Sequence, residues 1–289
     1  MKRGARRQAP DEVALEVSPT FKLTGAKLNK MTQSLAYKAI RFQKMKREYK
    51  KRRRTEINLQ KAKVEAKNIS GAACPEENLW RAIRHKDISR TARYFLWMSF
   101  HDAYMVGSNW LRPGFAPEYQ ERSECKSCHK TETMEHILTE CEAPGQAEIW
   151  DLVEEMWSKR NGTWPKPTLG VILASAALKF QHRDHEKEVG DTRLYRILMS
   201  ESAHLIWKVR CERVIREETM TPAEVSKRWK HAITSRMDLD RNMSNPKYGR
   251  KALDKNLVSS TWKGILDNEN NVPDPPQAGE AGVLVGILP

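Results

Sequence analysis

Apolar residues at helical spacing first appear in a segment that contains neither glycine nor proline, from Ala26 to Asn68. The residues that recur every seven positions are Leu28, Leu35, Phe42 and Tyr49. Met31 follows Leu28 by three residues, and Met45 follows Phe42 by three. Lys38 interrupts this stripe at the matching position of the second heptad. The pattern predicts one long helix over residues 26–70 that packs against the rest of the chain rather than forming a sustained coiled coil.

The remainder of the chain also shows helical rather than alternating spacing. Thr221-Pro222-Ala223-Glu224 is a capping box with proline at the first helical position, which predicts the start of a helix. We expect a mainly α fold, with a helical body over residues 71–266 and a charged loop at 181–190. The polar, proline-containing ends, residues 1–25 and 267–289, are predicted to be disordered. Helices are predicted near residues 80–83, 89–105, 149–157, 168–180, 192–217, 221–243 and 254–266.

Charge is distributed unevenly along the chain. Residues 1–70 hold 20 basic and 6 acidic residues, which accounts for the whole formal net charge of +14. All nine tryptophans follow residue 70, so a basic arm precedes a neutral, tryptophan-rich body. This asymmetry predicts a polyanionic partner for the arm, and RNA or DNA is the expected one.

The positive charge is densest between residues 44 and 54. Glu48 is the one acid among these eleven residues. Eight of the eleven are cations, namely Lys44, Lys46, Arg47, Lys50, Lys51, Arg52, Arg53 and Arg54. Such a run suits the phosphate backbone of a nucleic acid, and no aromatic residues suited to base stacking are interleaved with it, so we expect binding that is insensitive to sequence. A second interpretation is a nuclear-import signal, with the helical body serving as a protein-interaction module.

Several classes of protein are excluded by what the sequence lacks. No apolar run approaches the ~20 residues that cross a bilayer, and no apolar segment follows the basic N-terminus, so we expect a nuclear or cytoplasmic protein that is not secreted. The sequence contains no phosphate loop, paired-carboxylate site or nucleophile elbow. We therefore expect that the chain is not an enzyme.

One segment carries metal-binding chemistry. Its pattern is C-x2-C-x7-H-x4-C, formed by Cys125, Cys128, His136 and Cys141. Three cysteines and one histidine are a standard ligand set for one structural zinc ion, and a C-x2-C turn lets both thiolates face the same ion. Thr133 can cap a short helix that presents His136, with Cys141 at the end of that helix. The sequence thus predicts one structural zinc ion in a knuckle over residues 120–142, with all four ligands supplied by the chain.

Other cysteines and histidines fit this site less well. His129 could replace His136, but it follows Cys128 directly and would struggle to reach the same ion. Cys74 and Cys211 have no partners at ligand spacing and are expected to be small buried hydrophobes. A catalytic zinc ion would keep an open coordination position, which four ligands do not leave.

Three stretches resemble the zinc-binding module at the C-terminal end of non-LTR retrotransposon polyproteins, the reverse transcriptase zinc-binding family. They are WRAIRHKDISRTARYFLWMSFHDAYMVGSNW at 80–110, the cluster at 125–141 and the helix that contains Ile149-Trp150. Residues 21–40 are similar to the stretch that follows ribonuclease H in fungal elements of this kind. The resemblance covers about residues 76–157, and this sequence contains neither the polymerase nor the ribonuclease H. It implies a detached module that assists the handling of nucleic acid.

Overall fold

The computed structural model describes residues 30–47, 51–160 and 163–265, without the side chains of 44–47 and 186. The expected disordered ends, 1–25 and 267–289, lie outside these residues. The described residues are mainly helical and contain no strand, only one isolated antiparallel bridge between Glu124 and Thr131. Among them, no helix has the length and apolar composition needed to cross a membrane.

Ten α-helices follow one another along the described chain: α1 Gln33–Arg47, α2 Arg53–Ser70, α3 Glu76–Ala82, α4 Arg90–Phe100, α5 Pro117–Gln120, α6 Gln146–Ser158, α7 Leu169–Ala174, α8 His185–Ile215, α9 Pro222–Met243 and α10 Lys255–Trp262. Short 3-10 turns lie at Gly107–Asn109, Glu121–Ser123 and Pro246–Lys251, and a π turn lies at His136–Glu140. The chain divides into two compact units, Met1–Lys51 and Arg52–Pro289. Helix α1 belongs to the first unit, and the other nine helices belong to the second.

The prediction of a single long helix over residues 26–70 is wrong, because the described residues of this range form two helices, α1 and α2. Arg52 has extended backbone angles (φ −64°, ψ 133°) and stands just before α2. Consecutive cations repel one another at helical spacing, which disfavours a continuous helix through this run. The first turn of α2 is instead fixed by Arg54, whose guanidinium donates hydrogen bonds to Asp102 (2.7 Å) and Asn109 (2.6 Å).

The buried face within this range also differs from the heptad stripe. Leu35 and Phe42, which the stripe predicts to be buried, are 53% and 63% exposed. The buried positions lie on α2 and include Leu59, Ala62 and Ala66. Helix α7 packs closely on this face at Gly170, where an added Cβ would lie 2.8 Å from a backbone oxygen of α2.

Helix α8 is the centre of the second unit, with α4, α6, α9, α10 and the π turn packed around it. It begins at His185 rather than near residue 192, so part of the expected charged loop is helical. Helix α10 crosses α8 closely at Gly190, where only glycine fits, because a Cβ there would lie 2.3 Å from the Ser260 backbone oxygen. The largest fully buried side chains of this core are Trp157, Trp229, Tyr195, Phe95 and Phe100. The capping box of α9 is confirmed, with Thr221 N donating to Glu224 Oε2 at 2.8 Å.

Buried ion pairs join α8 to its neighbours. Asp87, just before α4, accepts from Arg193 Nε at 3.0 Å and from Arg196 Nη1 at 2.9 Å. Arg193 also contacts Asp240 of α9 at 2.6 Å, and Asp240 accepts from the Trp262 indole of α10 at 3.0 Å. All four charged groups are buried. Four separate segments are therefore fixed to one another by polar contacts that exclude water.

Candidate metal centre

A tight turn positions the first two cysteines. Cys125 N donates to Lys130 O at 2.8 Å, and His129 N donates to Cys125 O at 2.9 Å. His129 has a φ of +52°, in the left-handed region, which closes the turn directly after Cys128. Its side chain is exposed. The turn therefore directs Cys125 and Cys128 inward and His129 to solvent.

The π turn positions the other two residues. As expected, Thr133 caps this short helical segment, and its Oγ1 accepts from His136 N at 3.0 Å. In a π turn the backbone bonds run from residue i to i+5, so residues five apart lie closer to the same face than they do in an α-helix. Cys141 follows at the end of the turn with extended backbone (φ −73°, ψ 127°). This widened turn lets His136 and Cys141 face the same point, which a regular α-helix would not.

The structure brings the four predicted residues together. One ligand atom from each of Cys125, Cys128, His136 and Cys141 lies within 4.8 Å of all the others. Cys141 Sγ is 3.8 Å from Cys125 Sγ and 3.9 Å from Cys128 Sγ. All but Cys128, which is partly exposed, are buried. This group could hold a metal ion.

The His136 ring supports metal binding independently of the cysteines. Its side chain is 1% exposed, and neither ring nitrogen makes a hydrogen bond to any of the described residues. Nδ1 lies 3.7 Å from Glu140 Oε2, beyond hydrogen-bonding range. A buried polar group without a partner costs free energy, which coordination to a metal ion would offset.

The three thiols have different environments. Burial alone would raise the pKa of Cys125, but hydrogen bonds from the backbone of Ser127 and Cys128 lower it below its ordinary value. Burial raises the pKa of Cys141 to about 11, although a backbone hydrogen bond from Ala143 and the charge of Arg213 oppose this. A metal ligand must be a thiolate, and N–H donors stabilise that form. Arg213 donates from 3.7 Å to Cys141 Sγ, and Glu142 N donates from 3.2 Å to Cys128 Sγ.

The site is held in place from α6 and α8. Glu132, between the cysteine turn and the π turn, forms a buried two-point ion pair with Arg210 of α8. The Trp150 indole of α6 donates to Leu138 O at 2.7 Å. Arg210 and Arg213 could not be predicted from sequence spacing, because their partners lie 78 and 72 residues away in sequence. No local motif in the chain signals either contact.

The basic run spans the division between the two units. Lys44, Lys46 and Arg47 lie at the end of α1, where side chains are not described, and Lys50 lies outside the described residues. Lys51, Arg52, Arg53 and Arg54 are exposed. The Arg54 guanidinium donates hydrogen bonds to Asp102, Asn109 and Ser108.

Comparison of the chain with family models, with curated proteins and with solved structures finds no match. Function is therefore inferred from the geometry of the metal centre and from the positions of the exposed cations.

Proposed function

We propose that the chain is a non-catalytic, zinc-stabilised module, derived from a retrotransposon reverse transcriptase, that binds RNA or DNA through its basic segment. The observation that carries this proposal is the closed group of three cysteines and one histidine. Four protein ligands complete a tetrahedral site and leave no coordination position for a substrate or water. A site of this kind stabilises a fold and performs no chemistry.

The distances within the group are compatible with zinc. Zn–S bonds of ~2.3 Å in a regular tetrahedron place the sulfurs about 3.8 Å apart. The separations from Cys141 Sγ, 3.8 and 3.9 Å, match this value. A Cys3His set is also among the standard ligand sets of structural zinc.

The three stretches that resemble the retrotransposon family contact one another next to the metal centre. Gly107, in the first stretch, lies against the backbone of Glu132, and a Cβ there would be 3.0 Å from Glu132 O. Trp150, in the third, bonds to Leu138 in the second. Zinc would thus stabilise the stretches as one unit.

The metal centre is also connected to the start of α2. Segment Gly107–Asn109 lies against Glu132 at one end and accepts hydrogen bonds from Arg54 at the other. Lys61 of α2 forms an ion pair with Glu135, next to His136. We assign Arg54 to positioning the start of α2, and phosphate binding to the cations that precede it. In this view zinc stabilises the segment that positions the start of α2.

Binding of single-stranded RNA should weaken with salt. If about five cations meet phosphates, the slope of log K against log salt should be about −3.5. Replacing Arg52 and Arg53 with glutamine should flatten the slope by about 1.4, because two phosphate contacts are lost. The measurement is fluorescence anisotropy of labelled random RNA at several salt concentrations.

Arg250→Gln with Lys251→Gln is the matched control, since it removes two exposed charges from a different segment. This control should leave the slope unchanged. Equal slopes in both double variants would show that the basic run is not the binding surface. Absence of RNA and DNA binding at low salt would overturn the proposal and favour the protein-interaction module with an import signal.

A further inference from the structure

Helix α4 exposes two large aromatic side chains on one face. Tyr94 is 62% exposed and Trp97 is 45% exposed, while Phe95, Leu96 and Phe100 on the other face are buried in the core. His101 follows Trp97 by four residues and continues the same face. Exposed aromatic residues that share one helix face form a patch rather than scattered surface residues.

The rings form a continuous row. Tyr94 and Trp97 have centroids 6.5 Å apart and planes within 21° of parallel. The His101 ring lies 4.5 Å from Trp97 and stacks on Trp80 of α3 at 5.3 Å. Contacts among the rings fix their orientation before any ligand binds, which reduces the entropy lost on binding.

The last residues of the basic run, Arg52–Arg54, lie near one end of this row. Thr55 Oγ1 lies 3.1 Å from His101 Nδ1, and Arg54 pairs with Asp102. Burial lowers the pKa of His101, and the nearby charge of Arg52 lowers it further, so the ring is neutral at pH 7. The exposed side chain of Arg90 lies one helical turn before Tyr94, and α4 contains no acidic residue.

We propose that the row formed by Tyr94, Trp97 and His101 is a stacking platform for the bases of a single-stranded nucleic acid. This proposal rests on the proposed function and specifies its ligand. Flat rings beside cations are the arrangement by which proteins hold single strands, since every base offers a π face and every nucleotide a phosphate. In a duplex the base faces are covered by base stacking, so a duplex could bind only through its phosphates.

The charges around the row favour a polyanion over a peptide or a second copy of this chain. Cations lie at both ends of the row, at Arg90 before Tyr94 and at Arg52 near His101. No aromatic residues suited to base stacking are interleaved with the cations of residues 44–54, and on that pattern no stacking is expected. The structure supplies them from α4, about 40 residues further along the chain.

The test compares Trp97→Leu with Trp97→Phe in the full chain, using a labelled RNA of about 12 nucleotides as single strand and as duplex. Loss of one stacking ring should weaken single-strand binding about 5- to 150-fold in Trp97→Leu. Trp97→Phe keeps a flat ring and should lie within about 3-fold of the wild type. The salt slope should stay the same in both, because no cation is removed. Tyr248→Leu, an exposed tyrosine on another segment, should have no effect.

Tyr94→Leu gives a second variant in case Trp97→Leu alters the fold, which circular dichroism and the melting temperature will show. Wild-type affinity that is equal for duplex and single strand would overturn the platform. Unchanged binding in Trp97→Leu and Tyr94→Leu, with weakened binding in the Arg52/Arg53 variant, would overturn the platform and leave the proposed function standing. Absence of RNA and DNA binding by the wild type would overturn both.

Discussion

Cys141→Ser is expected to lower the free energy of unfolding by several kcal/mol and the melting temperature by about 10 °C or more. The substitution removes a buried ligand, and it leaves the His136 nitrogens without a partner among the described residues. Metal binding to a site that exists only in the folded chain contributes directly to folding. Thermal melts followed by circular dichroism measure this effect.

Chelation provides the comparison that separates metal loss from a packing defect. A strong chelator should lower the melting temperature of the wild type toward that of Cys141→Ser and should change the variant little. Cys74→Ser is the matched control, because Cys74 is a partly exposed thiol outside the group of four. A wild type that melts at the same temperature with and without the chelator would contradict a stabilising metal ion.

Asp87→Ala should destabilise the second unit by about 3–5 kcal/mol, because it leaves the buried Arg196 without its carboxylate and removes one of the two carboxylates that pair with Arg193. Arg193 and Arg196 both bond to this residue. Asp238→Ala is the control, since its contact with Arg241 is 4.0 Å long and its side chain is 40% exposed. Asp238→Ala should lower the free energy of unfolding by less than about 0.5 kcal/mol. Equal losses in the two variants, measured by urea unfolding, would show that the buried network does not join the helices.

The same network should make the fold sensitive to acid. Burial alone would raise the pKa of Asp87, but the hydrogen bond with His85 and the charge of Arg193 hold it well below its ordinary value. The stability from this lowered pKa is present above the unfolded value of about 3.9 and is lost as the pH falls below it. Asp87→Asn should therefore show a shallower decline in stability below about pH 4 than the wild type.

The sequence predicted the features that depend on local spacing. The four candidate ligands, the cap at Thr133 and the capping box at Thr221 all act within a few residues, and the structure places each as expected. The mainly helical fold also followed from the spacing of apolar residues. The retrotransposon origin and the binding of nucleic acid stay predictions.

The features that the sequence could not predict depend on distant partners. Arg52 has extended backbone just before α2, and Arg54 bonds to residues about 50 positions away. Arg213 reaches Cys141 from α8, across 72 residues. The early start of α8 has a similar basis, because the buried carboxylate of Asp191 contacts Arg160 at 2.5 Å and His182 at 2.8 Å. Periodicity carries no information about such pairs.

The most direct test of the account is the metal content of the purified full chain. Elemental analysis should find about one zinc ion per chain, and cobalt substitution should give the absorption of a tetrahedral thiolate site. Both signals should be lost in Cys125→Ser and Cys141→Ser and kept in Cys74→Ser. A wild-type protein without bound metal, or full zinc occupancy in either of the first two variants, would contradict the assigned centre.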